Sequence, residues 1–378
     1  MKSRIGFPRW NLWGWIFFLF MAGGFYAFCV RFKQPVSLSS SGPSSSSGEL
    51  ILGLNVLCGF AIAVGCFTVA ATIYVLHLKD CRSILRASLL ASLLGYFVAI
   101  LGLVSSSTRN GSTGMGSGPS FLYGIVWAMM LVGAVILLEF APDLSMRLGV
   151  REPPEWIRAL AMPLLFAAVV FSVLYQTRLA ELLQALPEKV SPLWSTPELP
   201  FFFFVSSICA GLAINIFASW HLNRSLDGGL PADRVAALAK ILAVVLFVYL
   251  GNRVADLLRR GSPILVWRPN SENMLLGLEF SLMLLPLLLL VNEKHVQNPR
   301  TVYVCSAIVL AGLMTNRLNT CITSVEAATH VKYLPDWKEF LIAYSIMALG
   351  IAGFRLMAKR LAIYGTFGSS ISEGVRRS

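Results

Sequence analysis

The stretch that decides the fold is "LILGLNVLCGFAIAVGCFTVAATIYVL" (50–76), which carries no charged side chain from Leu50 to Leu76. At a rise of 1.5 Å per residue such a helix is long enough to cross roughly 30 Å of hydrocarbon. A soluble helix of this length would show a polar face, and this one shows none. Similar runs recur along the chain. Together they occupy about 11–31, 50–76, 84–106, 120–142, 159–177, 199–222, 235–257, 273–292, 301–322 and 339–358. Barrel strands would be about 10 residues of alternating pattern, so helices are expected. Over the whole chain 56% of residues are apolar and 13% charged, against roughly 25% charged in soluble domains. The expected fold class is all-α: a polytopic bundle of about ten transmembrane helices in two bundles.

The first run follows Lys2, Arg4 and Arg9, but it exceeds a secretory h-region and no A-x-A site follows it. It is expected to be a retained helix. The organisation expected is an N-terminal tail and first helix (1–34), a Ser-rich outer loop (35–49), a first four-helix bundle with its outer loop (50–198), a second helix bundle (199–358) and a cytoplasmic tail (359–378). The Ser-rich 37–47 and Gly/Ser-rich 105–120 segments have the composition of flexible outer loops. With both ends inside, the inner segments hold 17 Lys and Arg, the outer segments 10 and the spans 4. That bias fits the positive-inside rule, so the net charge of +12 reflects topology and no nucleic-acid partner is expected. A lipid bilayer is the expected surroundings.

The seven cysteines form no CxxC or CxxCH, which excludes an encoded iron–sulfur or c-type haem site and leaves no readable disulfide framework. P-loop, GxSxG and HExxH motifs are absent, and no metal site is expected. A b-type haem within a bundle needs two histidines at matching depth. His77, His221 and His295 fall at inner helix ends and His330 in an outer loop. No haem is therefore expected, and any redox centre would lie in a partner.

Ionisable groups inside hydrocarbon are functional candidates. Span 7 runs outward with Tyr249, Asn252, Arg253 and Asp256 on one helical face. Span 9 carries Asn316, Arg317, Asn319 and Thr320 at the same outer depth, and Glu279 on span 8 joins them. The formal charges cancel. The arrangement is either a neutralised clamp between helices or a proton path or polar pocket lining. The first half carries a thinner set: Asn55, Ser105 to Ser107, Tyr175, Gln176 and Thr177. Glu139 fits an interfacial carboxylate and Tyr96 a core residue.

Several blocks then carry a likeness. They are "GLNVLCGFAIAVGCFTVAATIYVLHLK" (53–79), "LLASLLGYFVAI" (89–100), "LLEFAPDLSMRLG" (137–149), "PEKVSPLWSTPELPFFFFVSS" (187–207), "LGLEFSLMLLPLLLL" (276–290), "NRLNTCITSVE" (316–326) and "YLPDWKEFLIAYSIMALGI" (333–351). Their order and spacing resemble the NrfD/polysulfide-reductase membrane-subunit family, closest to the cytochrome-b-type, haem-free branch that serves periplasmic nickel–iron hydrogenase-2. The resemblance implies a multi-pass subunit of the bacterial inner membrane that anchors a respiratory oxidoreductase and has no redox metal of its own. Its implied partners are a periplasmic ferredoxin-like iron–sulfur subunit and catalytic subunits. It would pass electrons between that partner and menaquinone or ubiquinone held among spans 2–5, at Asn55, Tyr175 and Gln176. The chain departs from the family pattern there: Asn55 stands near an Asp position, Gly124 replaces a Glu, and Tyr175-Gln176-Thr177-Arg178 replaces a His-Gln-Ser-Ser stretch. A quinone-less anchor or proton-conducting subunit is the alternative within the family. A secondary transporter is the alternative outside it.

Overall fold

The computed structural model describes residues 12–33, 49–76, 81–107, 118–148, 154, 160–184, 194, 196–225, 231–260, 271–329 and 335–360. Among them there is no strand, and the architecture is an all-α bundle. The backbone reason is that hydrocarbon offers no hydrogen-bond partner, so each segment must satisfy its own N–H and C=O groups. The long helices are α1 (Leu12–Lys33), α2 (Glu49–Val75), α3 (Arg82–Ser107), α4 (Gly118–Leu148), α5 (Ala161–Gln184), α6 (Leu199–Ser225), α7 (Ala232–Arg259), α8 (Ser271–Val291), α9 (Pro299–Thr329) and α10 (Trp337–Arg360). Each expected run corresponds to one of them. Among the described residues nine helices are long and apolar enough to span a membrane, while α1 holds a shorter apolar stretch, Phe17–Val30.

Helices α2 to α5 pack as one ring of neighbours and α6 to α9 as a second. The rings meet where α2 crosses α6, and the crossing is set by glycine. A Cβ on Gly65 would stand 1.7 Å from the Ser207 carbonyl oxygen, and one on Gly211 would stand 2.2 Å from the Gly65 carbonyl carbon. Small residues of this kind let helix backbones touch in a membrane. The outer pair α1 and α10 packs together and leans on α3. There the Ser345 hydroxyl donates to the Phe20 carbonyl at 2.9 Å, beside Gly24.

Helix α2 is wound as a π-helix over Leu52–Leu57 before continuing as an α-helix from Cys58. Such widened turns gather at functional sites, and this one contains Asn55. All seven cysteines are free thiols, in keeping with the absence of a disulfide framework. The 37–47 segment, the greater part of 105–120, the 361–378 tail, His77 and His330 lie outside the described residues.

Candidate functional site

The polar groups of the second half are organised around the start of α6. Three residues just before it, Trp194, Thr196 and Glu198, each bind a partner on α7 or α8. Trp194 is fully buried, wedged against Leu257, Leu275, Leu276 and Phe280, and its indole N–H donates to Glu279 Oε2 at 3.2 Å. Thr196 donates to Asp256 Oδ1 at 2.9 Å. Glu198 pairs with Arg259 at 2.9 Å on the exposed rim. Then α6 begins, and its Phe202 and Phe203 rings lie under the guanidinium groups of Arg253 and Arg317, at 5.1 and 3.6 Å.

The expected cluster of Tyr249, Arg253, Asp256, Glu279, Asn316 and Arg317 is present as two groups, each built differently from a simple neutral pair. In the first, the Asp256 carboxylate lies between Arg260, at 2.6 Å, and Arg253, at 3.9 Å, with Thr196 on its other oxygen. In the second, Glu279 accepts from Trp194, from Asn316 Nδ2 at 2.8 Å and from Tyr249 at 3.4 Å. Arg317 has no carboxylate within ion-pair distance among the described residues. Its guanidinium donates to Ser206 at 2.8 Å, to the Phe203 carbonyl at 3.2 Å and to Asn316 Oδ1 at 3.4 Å. Asn316 thus bridges the buried anion and the buried cation. Asn252 bonds its own helix at Val248, and Asn319 reaches the Leu275 carbonyl at 3.4 Å. Thr320 likewise bonds its own helix at Asn316.

In the first half the three named residues turn toward three different neighbours. Asn55 is fully buried opposite Gly102 of α3, and neither polar atom of its side-chain amide has a partner among the described residues. The Tyr175 ring lies against Phe171 and over Gly124 of α4, where any Cβ would come within 1.7 Å of it. Gln176 is buried against α6, its Nε2 donating to the Phe203 carbonyl at 2.7 Å and to Ser207. Its Oε1 has no partner. The Phe203 carbonyl accepts from both Gln176 and Arg317 and therefore joins the two halves. The expected surface and core residues also find partners: Glu139 pairs with Arg86 at 3.5 Å, and Tyr96 donates to Ser172 at 2.6 Å. Thr177, Ser105 and Ser106 bond carbonyls of their own helices.

Sequence reasoning missed Trp194, Thr196, Ser206, Ser207 and Arg260. Tryptophan in an outer loop fits an interfacial anchor as well as a buried donor. The only signal was the spacing of Trp194, Thr196 and Glu198 ahead of a helix.

No family model matches the chain. A protein of Escherichia coli (strain K12) named as the b-type cytochrome subunit of Ni/Fe-hydrogenase 2 is 25% identical over 321 residues, covering 82% of each chain. A protein of Nitratidesulfovibrio vulgaris is 25% identical over 357 residues, 88% of this chain and 89% of its own. These findings correct one expectation. The E. coli relative is named a b-type cytochrome, a class that carries haem, and this overturns the expectation of no haem. The described histidines do not fit axial ligation within the bundle. His221 closes the apolar part of α6 with its Nε2 3.2 Å from the Tyr303 hydroxyl, and His295 sits in the single-turn helix Glu293–Val296 between α8 and α9. Among the described residues no three His, Cys, Asp or Glu side chains gather as a metal site. The chain is a multi-pass membrane protein and a distant homologue of a hydrogenase membrane subunit.

Proposed function

We propose that the chain is the membrane anchor of a periplasmic, hydrogenase-type respiratory complex in the bacterial inner membrane. It passes electrons between a ferredoxin-like iron–sulfur subunit on its outer face and a menaquinone or ubiquinone taken from the bilayer. The observation that carries this reading is the similarity over 82% of both chains to the E. coli subunit. The geometry supports the quinone in a specific way. Buried polar atoms in proteins are nearly always hydrogen-bonded, and each exception calls for an explanation. Asn55 Nδ2 and Oδ1 and Gln176 Oε1 are such exceptions, on helices of one bundle. A quinone carbonyl accepts from an amide N–H, and a quinol hydroxyl donates to an amide oxygen.

Isolation of the tagged chain from its native membranes tests the reading. The expected result is co-isolation of a subunit with four-cysteine cluster motifs, and electron transfer from that complex to a soluble quinone analogue. Recovery as a lone polypeptide without such activity would contradict it. One observation favours a second reading, an anchor without a quinone: the Tyr175 ring fills the space over Gly124 that an acidic side chain would otherwise take. The same isolation separates the two, because that anchor would co-purify with its partner and reduce no quinone.

A further inference from the structure

Helix α3 carries Ser88, Ser92 and Tyr96 at i, i+4 and i+8, one above another on a single face, all at 0% exposure. The outer two meet polar groups on other helices at their own level. Ser88 donates to Asn215 Oδ1 of α6 at 2.8 Å, and Tyr96 donates to Ser172 of α5 at 2.6 Å. The Ser92 hydroxyl between them is buried without a partner among the described residues. Toward one membrane face the column continues through Asn215 to Ser219, which donates to the Asn215 carbonyl at 2.6 Å. Toward the other it continues along α5 from Ser172 to Gln176, one turn on, where Oε1 is also unpartnered. There the Arg317 guanidinium sits on the far side of the shared Phe203 carbonyl.

Helix glue alone does not account for this column. Hydroxyls in membrane helices commonly bond the carbonyl four residues back, as Thr68, Thr72 and Ser105 do in this protein at 2.8, 2.9 and 2.7 Å. Ser88 instead reaches across to another helix, and Ser92 bonds nothing. A buried hydroxyl in this condition calls for a water. Successive turns stand about 6 Å apart, a gap that one water bridges between two polar groups.

We infer that this column is a water-assisted proton inlet. It runs between α3, α5 and α6 from the Lys/Arg-rich face to Gln176 and ends at Arg317. Serine and tyrosine hydroxyls can each accept one proton while donating another. The Asn215 amide, which also donates to the Gly211 carbonyl at 2.7 Å, fixes Ser88, and the open Gln176 Oε1 orients the water beside it. The fixed buried guanidinium at the end is an electrostatic barrier to a cationic proton carrier, so the path opens to one face only. The inference rests on the proposed quinone chemistry for its destination. A quinone takes two electrons from the partner's iron–sulfur clusters and two protons from the inlet and leaves as quinol. Electrons arrive from one face and protons from the other, so each turnover moves charge across the membrane.

The test uses the intact complex in proteoliposomes of known orientation, with a water-soluble menaquinone analogue and a trapped pH dye. Ser92→Val removes a hydroxyl that bonds nothing, so folding is expected to be unaffected. Quinone turnover should fall at least about tenfold with the quinone KM unchanged, as for loss of a proton-transfer step. A small weak acid such as azide should restore it. Unchanged turnover and proton uptake would overturn the inlet. A second measurement does not need the quinone. Ser92→Cys in the full chain should react with a small cationic methanethiosulfonate added at the Lys/Arg-rich face and not from the other, while buried Cys66 stays unlabelled. Absence of labelling from either face would overturn the inlet whatever the quinone does. Labelling from the inner face, in a parental complex that reduces no quinone, would sink the quinone reading and leave the inlet standing.

Discussion

In the α6–α9 bundle Glu279 accepts three hydrogen bonds, and Asp256 holds two arginines and a threonine. In the α2–α5 bundle Asn55 makes no hydrogen bond and Gln176 leaves its oxygen unused. The difference follows from charge. An uncompensated buried ion costs several kcal/mol, so a carboxylate in hydrocarbon has to be satisfied by the protein itself. A neutral amide left open costs about 1–3 kcal/mol, which a fold can carry if a ligand or water later fills the gap. Both buried carboxylates of the charged bundle are thus satisfied without a ligand, although Arg317 Nε makes no hydrogen bond among the described residues; the open acceptor oxygens, Asn55 Oδ1 and Gln176 Oε1, belong to the neutral bundle.

The largest expected effect breaks the charged side of this contrast. Asp256→Leu removes the carboxylate 3.9 Å from Arg253, which is 2% exposed, and loss of one partner from a buried pair costs about 3–5 kcal/mol. The amount of monodisperse protein recovered in detergent should drop sharply. Arg253→Leu combined with Asp256→Leu should restore most of it, because Arg260 is 22% exposed and can turn to solvent. Normal recovery of the single variant would mean that these groups form no buried network.

A smaller effect is expected at Trp194→Phe, which keeps the ring in its cleft and deletes only the N–H donor to Glu279. A hydrogen bond to a charged group contributes about 1.5–3 kcal/mol, so thermal unfolding in detergent should shift downward. An unchanged melting curve would show that Glu279 does not depend on the α5–α6 segment. Smaller again is Tyr96→Phe, which removes the bond to Ser172. Hydrogen bonds between membrane helices average about 0.6 kcal/mol, so its stability should barely move. Any large loss of quinone turnover in that variant would then report on proton delivery and not on packing.

The helices were legible in the sequence because hydrocarbon imposes a length and a composition on each span, and runs such as 50–76 satisfy both with no charged residue. The meeting of Asn316 with Glu279 and of Arg253 with Asp256 was legible too, since residues on successive helices can be set at one level by their rise. Their other partners were not. Trp194 lies 85 residues from Glu279, and nothing local in the sequence shows that its indole reaches that carboxylate. The neutral charge count also concealed that Asp256 takes Arg260 as well as Arg253, while Arg317 rests on a carbonyl, a serine and a ring face. Ser88, Ser92 and Tyr96 did carry a signal in their spacing, but single hydroxyls in a span are so often packing residues that Tyr96 was expected only in the core. The placement of His77, His221, His295 and His330 argued against a haem, and the name of the E. coli relative overturned that expectation.

The most direct measurement concerns Asn55, where structure and function are expected to move in opposite directions. Asn55→Leu replaces an amide with no partner by an apolar side chain of similar size, so unfolding of the detergent-solubilised protein should be unchanged or shifted to higher temperature. Quinone reduction by the intact complex should weaken, with a loss of affinity of roughly 5–30-fold for one missing hydrogen bond of about 1–2 kcal/mol. A variant that is stable yet impaired toward quinone is the predicted result. A variant that unfolds more easily while reducing quinone normally would contradict it, since Asn55 would then be a structural residue and the vacant hydrogen-bonding capacity of the first bundle would serve no ligand.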